Sequence, residues 1–182
     1  MSGHTVSRQV GHLVDPSDAE TFDVLGPTVQ FLTHPEGGDD EPCVMRGTIP
    51  PGVFVPLHTH ADPETFLMIS GDVEGLAQRA DGGHEWIRIA PGDMFHVPGG
   101  AKHAFRNQSQ APAVMILITT VRLGRFFREV GTLVVAGKPP RRLPPEAVIQ
   151  RFLTVSDRYG YWNASPEENA QVGIVVPALH LA

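Results

Sequence analysis

With 182 residues, 41% hydrophobic and 19% charged, the chain has the size and composition of one globular domain, or one domain with an appendage, and not of a disordered tail. A net charge of −6 offers no basic surface to nucleic acid or an anionic membrane, and a single cysteine, Cys43, excludes a disulfide framework and a thiolate metal cluster. The 19 glycines and 17 prolines break the apolar runs into short pieces, which favours many short strands over long helices.

Taken in chain order, residues 1–24 read as a polar N-terminal arm with a turn at Asp15-Pro16-Ser17-Asp18. Met1 to Val14 lacks the basic start and apolar core of a secretory signal, and no apolar stretch of about 18 residues could span a membrane, so a cytoplasmic location is expected. Strand candidates then follow at Thr28–Thr33, Cys43–Ile49, Val53–His60, Thr65–Ser70, Val73–Ala80, His84–Ile89, Met94–Val97, His103–Asn107 and Ala113–Val121. The gaps between them carry turn signals such as Glu36-Gly37-Gly38-Asp39, Pro50-Pro51-Gly52, Asp81-Gly82-Gly83 and Pro98-Gly99-Gly100. This alternation reads as an all-β sandwich or closed barrel over residues 25–122.

Residues 123–182 have a different texture and read as a short helical C-terminal extension packed on the barrel. Arg125–Val130 suits a short helix stopped by Gly131, and Lys138–Pro145 a stiff connector. A second helix is expected from Pro144-Pro145-Glu146 to about Tyr159, with Val148, Ile149, Phe152, Leu153 and Val155 on one docking face. Ser165-Pro166-Glu167-Glu168 supplies a cap, a first-turn proline and a capping-box glutamate for a third. Gly173–Val176 fits either a strand or an apolar tail.

The chemistry-bearing residues are His58, His60, Glu64 and His103. Residues two apart on a strand share a face, so His58 and His60 project together. Glu64 follows a short turn and can return its carboxylate beside them, while His103 must arrive from a hairpin beyond Pro98-Gly99-Gly100. Histidine and carboxylate without thiolate suit Fe, Mn, Ni, Cu or Zn. A lone His-x-His is more often a surface or packed pair. Here it sits inside two frames, Gly52-x5-His58-x-His60-x3-Glu64-x6-Gly71 and Gly92-x5-Pro98-x-Gly100-x2-His103-x3-Asn107.

Both frames resemble the two signature motifs of the cupin superfamily, matching at every defining position. The resemblance implies a single-domain cupin, that is, a double-stranded β-helix or jelly-roll barrel, holding one divalent transition metal on His58, His60, Glu64 and His103. Gly52, Gly71, Gly92 and Gly100 are expected at turns, Pro98 at a strand end, and Asn107 on turn backbone. Parity makes Phe54 (with His58), Phe66 and Met68 (with Glu64), Phe105 (with His103) and one face of Val114–Val121, including Met115 and Leu117, candidates to line an apolar cavity for a small organic substrate. Each is equally consistent with ordinary barrel core. His4, His12, His34, His84 and His180 are expected to be exposed, and His96 to lie either near the metal or outside.

Cupins span several reaction classes, so fold and ligands leave the reaction open. The run Phe126-Phe127-Arg128-Glu129-Val130-Gly131, the proline-rich link and Arg158-Tyr159-Gly160 are similar to the extension of bacterial quercetin dioxygenase-like cupins. That likeness implies a mononuclear dioxygenase using O2 on a flavonol-like or other enolisable aromatic compound, with Glu64 as general base, in a homodimer. The alternatives are a non-redox metal-dependent cyclase or isomerase, polyketide cyclase-like in kind, and a small-molecule-binding cupin without catalysis.

Overall fold

The computed structural model describes residues 11, 13–33, 35, 41–79, 81–135, 137 and 146–176. The expectations for His4, His12, His34, His180, the Glu36–Asp39 turn and the Lys138–Pro145 connector lie outside the described residues. Among the described residues twelve strands appear: β1 (Thr21–Asp23), β2 (Thr28–Phe31), β3 (Pro42–Ile49), β4 (Phe54–Thr59), β5 (Glu64–Ser70), β6 (Val73–Gln78), β7 (His84–Ile89), β8 (Met94–Val97), β9 (His103–Arg106), β10 (Ala113–Thr120), β11 (Thr132–Leu133) and β12 (Trp162–Asn163). Three helices accompany them, α1 (Val121–Val130), α2 (Glu146–Tyr159) and α3 (Pro166–Gln171). Among the described residues no helix is long and apolar enough to cross a membrane.

The strands form two antiparallel sheets, one of seven strands in the order β11-β1-β2-β3-β10-β5-β8 and one of five in the order β12-β4-β9-β6-β7. Alternation along the strands explains why the sheets face each other. On β3 the side chains Cys43, Met45 and Ile49 are buried, and on β10 Ala113, Met115, Leu117 and Thr119. The register sets Leu117 beside both Met45 and Phe66, and Met115 beside Gly47 and Met68, so one apolar layer runs across three strands. Phe105 from the smaller sheet closes this layer, its ring 4.7 Å from Phe66. The result is an all-β jelly-roll barrel with a small helical C-terminal part.

Two satellite cores attach that part. Phe126, Leu123 and Val130 of α1 pack with Val155 of α2 and with Tyr161. On the outer face of the smaller sheet, Leu57, Leu76 and Ala104 pack with Ile174, Trp162 and Trp86. The helix signals are realised locally. Thr120 Oγ1 accepts the Leu123 N–H at 3.2 Å to start α1, four residues before the expected start, and Gly131 N–H donates to the Phe127 carbonyl at its end. Ser165 and Glu168 form the reciprocal capping box of α3. Gly173–Val176 is not a strand. At the other end, β1 pairs with β2 and β11, so the sheet begins inside the segment expected to be an arm.

Two motif residues hold the turns at the closed end of the barrel. Gly71 has φ +72°, and a Cβ there would lie 2.2 Å from the Pro112 carbonyl oxygen, so any other residue meets both strain and collision. Asn107, 1% exposed, donates from Nδ2 to the Ile49 and Ala111 carbonyls and accepts at Oδ1 from the Ser109 N–H and hydroxyl. Replacing it with alanine leaves these buried groups unpaired, so Asn107→Ala should lower unfolding free energy by about 3 kcal/mol in a denaturant titration. A loss under about 0.5 kcal/mol would contradict this role.

Cys43 is fully buried, and burial pushes its thiol up to about 11. Its Sγ is also in the way of any side chain at Gly124, since a Cβ there would lie 2.6 Å from it. The native thiol should therefore resist an aromatic disulfide reagent at about pH 8 and react only in denaturant. Rapid modification of the folded protein would place Cys43 elsewhere.

Candidate metal centre

His58 lies near the end of β4 and His60 just beyond it, Glu64 opens β5 and His103 opens β9. Their ligand atoms all lie within 4.8 Å of one another, with His60, Glu64 and His103 buried and His58 partly exposed. Antiparallel pairing sets His58 directly opposite His103, and the two rings are 4.1 Å apart. The tight return from His60 to Glu64 swings the carboxylate back under the imidazoles. The hairpin bearing His103 is pressed against that return. A Cβ on Gly99 would lie 2.1 Å from the Ala61 carbonyl oxygen, and Gly100 N–H donates to the His60 carbonyl at 2.7 Å.

Each imidazole is locked in the same way. Nδ1 lies 2.8 Å from the Pro56 carbonyl oxygen for His58, 2.8 Å from that of Asp62 for His60, and 2.9 Å from that of Ala101 for His103. A carbonyl only accepts, so Nδ1 carries the proton and Nε2 presents its lone pair inward on all three rings. Nε2 of His103 and His60 then lie 3.0 and 3.3 Å from Glu64 Oε2. Lone pairs facing a carboxylate at that range demand a cation between them, either a proton or a metal ion.

The electrostatics agree. Burial opposes charge on His60, but the hydrogen bond and charge of Glu64 outweigh it and raise its pKa. Burial would likewise raise Glu64, yet hydrogen bonds from His103 and His60, made when those rings also carry a proton at Nε2, hold it well below the usual carboxylate range. Desolvation, helped by the His103 and His60 rings, pushes His58 down to about 3, so it stays a neutral donor. A metal ion that displaces the Nε2 proton meets three neutral nitrogens and one anionic oxygen, a set that fits a divalent transition metal, so His58, His60, Glu64 and His103 could hold one ion.

The expected lining residues divide. Phe66, Met68, Phe105 and Met115 face the barrel interior, and the Phe105 ring lies 6.2 Å from the His103 ring. Phe54 does not. Val55 pairs with Phe105 and His58 with His103, so β4 spends one residue more than β9 between those pairs. This β-bulge reverses parity, turning Phe54 outward to the Leu57 cluster and giving its inward place to Val55. His84 is exposed, and His96 is exposed on β8 with Nδ1 2.9 Å from Thr65 Oγ1, away from the centre.

Residues that the sequence did not single out stand behind His60. The Asp62 carboxylate is buried and meets Thr120, Arg122 and Tyr161. The Tyr161 ring packs against the His60 ring at 5.2 Å. Asp62 and Pro63 read only as a turn, and Tyr161 lies 99 residues from Asp62, so no local pattern links them.

Residues 45–119, which lie within the barrel, match the family model described as the cupin domain. The chain is 30% identical over 69 residues to dimethylsulfoniopropionate lyase DddQ of Ruegeria pomeroyi, covering 38% of this chain and only about a third, 32%, of that protein. It is 26% identical over 116 residues to acireductone dioxygenase of Bacillus cereus, covering 59% of this chain and 68% of that one. Among solved structures, oxalate decarboxylase of Lactobacillus farciminis superposes with a TM-score of 0.52 at 22% identity, covering 63% of this chain and 34% of that chain.

Loss of one ligand should empty the centre. His103→Ala is expected to lower affinity for added Zn(II) or Mn(II) by at least a hundredfold in a calorimetric titration, with the fold retained. His96→Ala should bind as the unaltered chain does. Equal affinity in His103→Ala and the parent would remove His103 from the ligand set.

Proposed function

We propose that the chain is a cupin and a metal-dependent enzyme, a mononuclear dioxygenase for a small enolisable organic molecule. The observation that carries the reading is the convergence of three Nε2 lone pairs on the Glu64 carboxylate in a buried setting. A divalent metal on these four residues would supply Lewis acidity towards an enolate oxygen and redox capacity towards O2.

The chain's own groups then have separate tasks. Glu64, the only carboxylate of the ligand set, is the base that takes the proton from the substrate's enol or activated carbon. Phe105 and Phe66, with Met68 and Met115 beside them, form an apolar wall next to His103 that excludes water from the reacting carbon. That wall is already close-packed, with each of the four residues no more than 6% exposed. Such packing favours a compact acyclic or single-ring substrate over one of flavonol size. The likeness to acireductone dioxygenase over 116 residues supports oxygen chemistry.

A second reading has its own support in the likeness to dimethylsulfoniopropionate lyase over 69 residues. There the same proton removal by Glu64 leads to elimination or isomerisation with no oxygen consumed. The two readings part in one experiment: metal content of the purified protein, followed by an oxygen-electrode screen over 1,3-dicarbonyl, enediol and phenolic compounds. Dioxygenase action predicts oxygen uptake matched to substrate loss, and no turnover under anaerobic conditions. Turnover undiminished without oxygen would sink it in favour of the lyase or isomerase. In either case Glu64→Gln should cut kcat by about a hundredfold or more, the usual scale of general acid–base catalysis.

A further inference from the structure

The Asp62 side chain is 5% exposed and its carboxylate gathers three donors. Thr120 Oγ1 lies at 2.5 Å, Arg122 Nη1 at 2.7 Å and the Tyr161 hydroxyl at 2.6 Å. Arg122 also donates to the Tyr159 carbonyl, and its guanidinium lies 5.1 Å from the Tyr161 ring. These donors tie together the end of β10, the first turn of α1 and the segment that leaves α2. All three donor residues lie beyond the 45–119 segment that matches the cupin domain.

The same residue, Asp62, offers the backbone carbonyl that receives His60 Nδ1–H at 2.8 Å. The three side-chain bonds anchor the residue and so restrain the direction of that carbonyl. A restrained carbonyl orients the His60 ring plane and keeps its Nε2 lone pair aimed inward. The Tyr161 ring closes the other side, 5.2 Å from the His60 ring at an interplanar angle of 51°. His58 and His103 show a different pattern, because Pro56 and Ala101 have no side-chain polar group through which to be anchored.

We infer that Tyr161, Arg122 and Thr120, acting through Asp62, are positioning residues for the metal ligand His60, so that the C-terminal extension completes the centre that the barrel begins. The inference rests on the metal-centre reading and is independent of which reaction the protein performs. Outer partners of metal-bound histidines commonly set affinity by about ten- to a hundredfold, and here that leverage passes to residues far along the chain.

The test is a Co(II) titration of the full chain, following the visible absorption bands of the bound ion. Tyr161→Phe keeps the ring and removes only the hydroxyl, and Asp62→Asn keeps the shape and removes the charge. Arg158→Ala breaks the Arg158–Glu129 pair between α2 and α1 without touching Asp62, and it controls for simple loosening of the extension. Asp62→Asn is expected to weaken Co(II) binding by about tenfold or more, and Tyr161→Phe by a smaller factor with displaced bands. Arg158→Ala should match the parent in both. Parent-like affinity and spectrum in both Tyr161→Phe and Asp62→Asn would overturn the inference while leaving the metal centre standing, as would an equal loss in Arg158→Ala. A parent chain that binds no Co(II) would overturn both.

Discussion

Everything in the site depends on three hydrogen bonds from imidazole Nδ1 to backbone carbonyl oxygens two residues away. They select one tautomer for His58, His60 and His103 and leave three unprotonated nitrogens facing a carboxylate. Had the rings been free to turn, Nδ1 and Nε2 would compete for Glu64 and the donor set would have no single geometry. Because the acceptors are main-chain atoms, the tautomers are only as fixed as the turns that carry those carbonyls. Ligand chemistry is thus delegated to backbone shape, and backbone shape to the barrel.

The barrel supplies that shape by close approach. Gly99 lets the His103 hairpin rest on the Ala61 carbonyl, while the Gly100 N–H takes the His60 carbonyl. At the other end Asn107 and Gly71 fix the turns around β10, whose inward face is the packed layer of Ala113, Met115 and Leu117. A side chain at Gly99 would open the hairpin and carry His103 away from Glu64, although the substitution lies four residues from the ligand. The bulge in β4 does related work, because it lets Val55 face the core and still brings His58 round to the same side.

How much of this was legible in the sequence follows from how local each cause is. The strands from β2 to β10 were readable because turn residues bound them and apolar side chains alternate along most of them. His58 and His60 were readable because a two-residue period is a property of any strand, and their frames of glycine and proline mark turns. Phe54 was misplaced because parity was counted straight through a bulge whose presence depends on the partner strand β9. β1, β11 and β12 escaped notice since strands of two or three residues draw their order from pairing with distant segments, as Trp162 does with Thr59. Asp62 was visible only as a turn residue, its three donors lying 58 to 99 residues away. The substrate stayed unreadable for a related reason: apolar lining and apolar core use the same residues in the same pattern.

A buried polar cluster with only a structural role is energetically costly. Taking three imidazoles and a carboxylate out of water costs several kcal/mol for the charged group alone, and a well-packed apolar replacement is often neutral or stabilising. One proton on His60 can satisfy Glu64, but His103 Nε2 still faces the same oxygen at 3.0 Å with its own proton committed to Ala101. The cluster is therefore a poor way to stabilise a barrel whose core already runs from Met45 to Phe105 beside it. Its geometry becomes favourable when a divalent cation occupies the point on which all four ligand atoms converge, since one charge then satisfies three lone pairs and the carboxylate together.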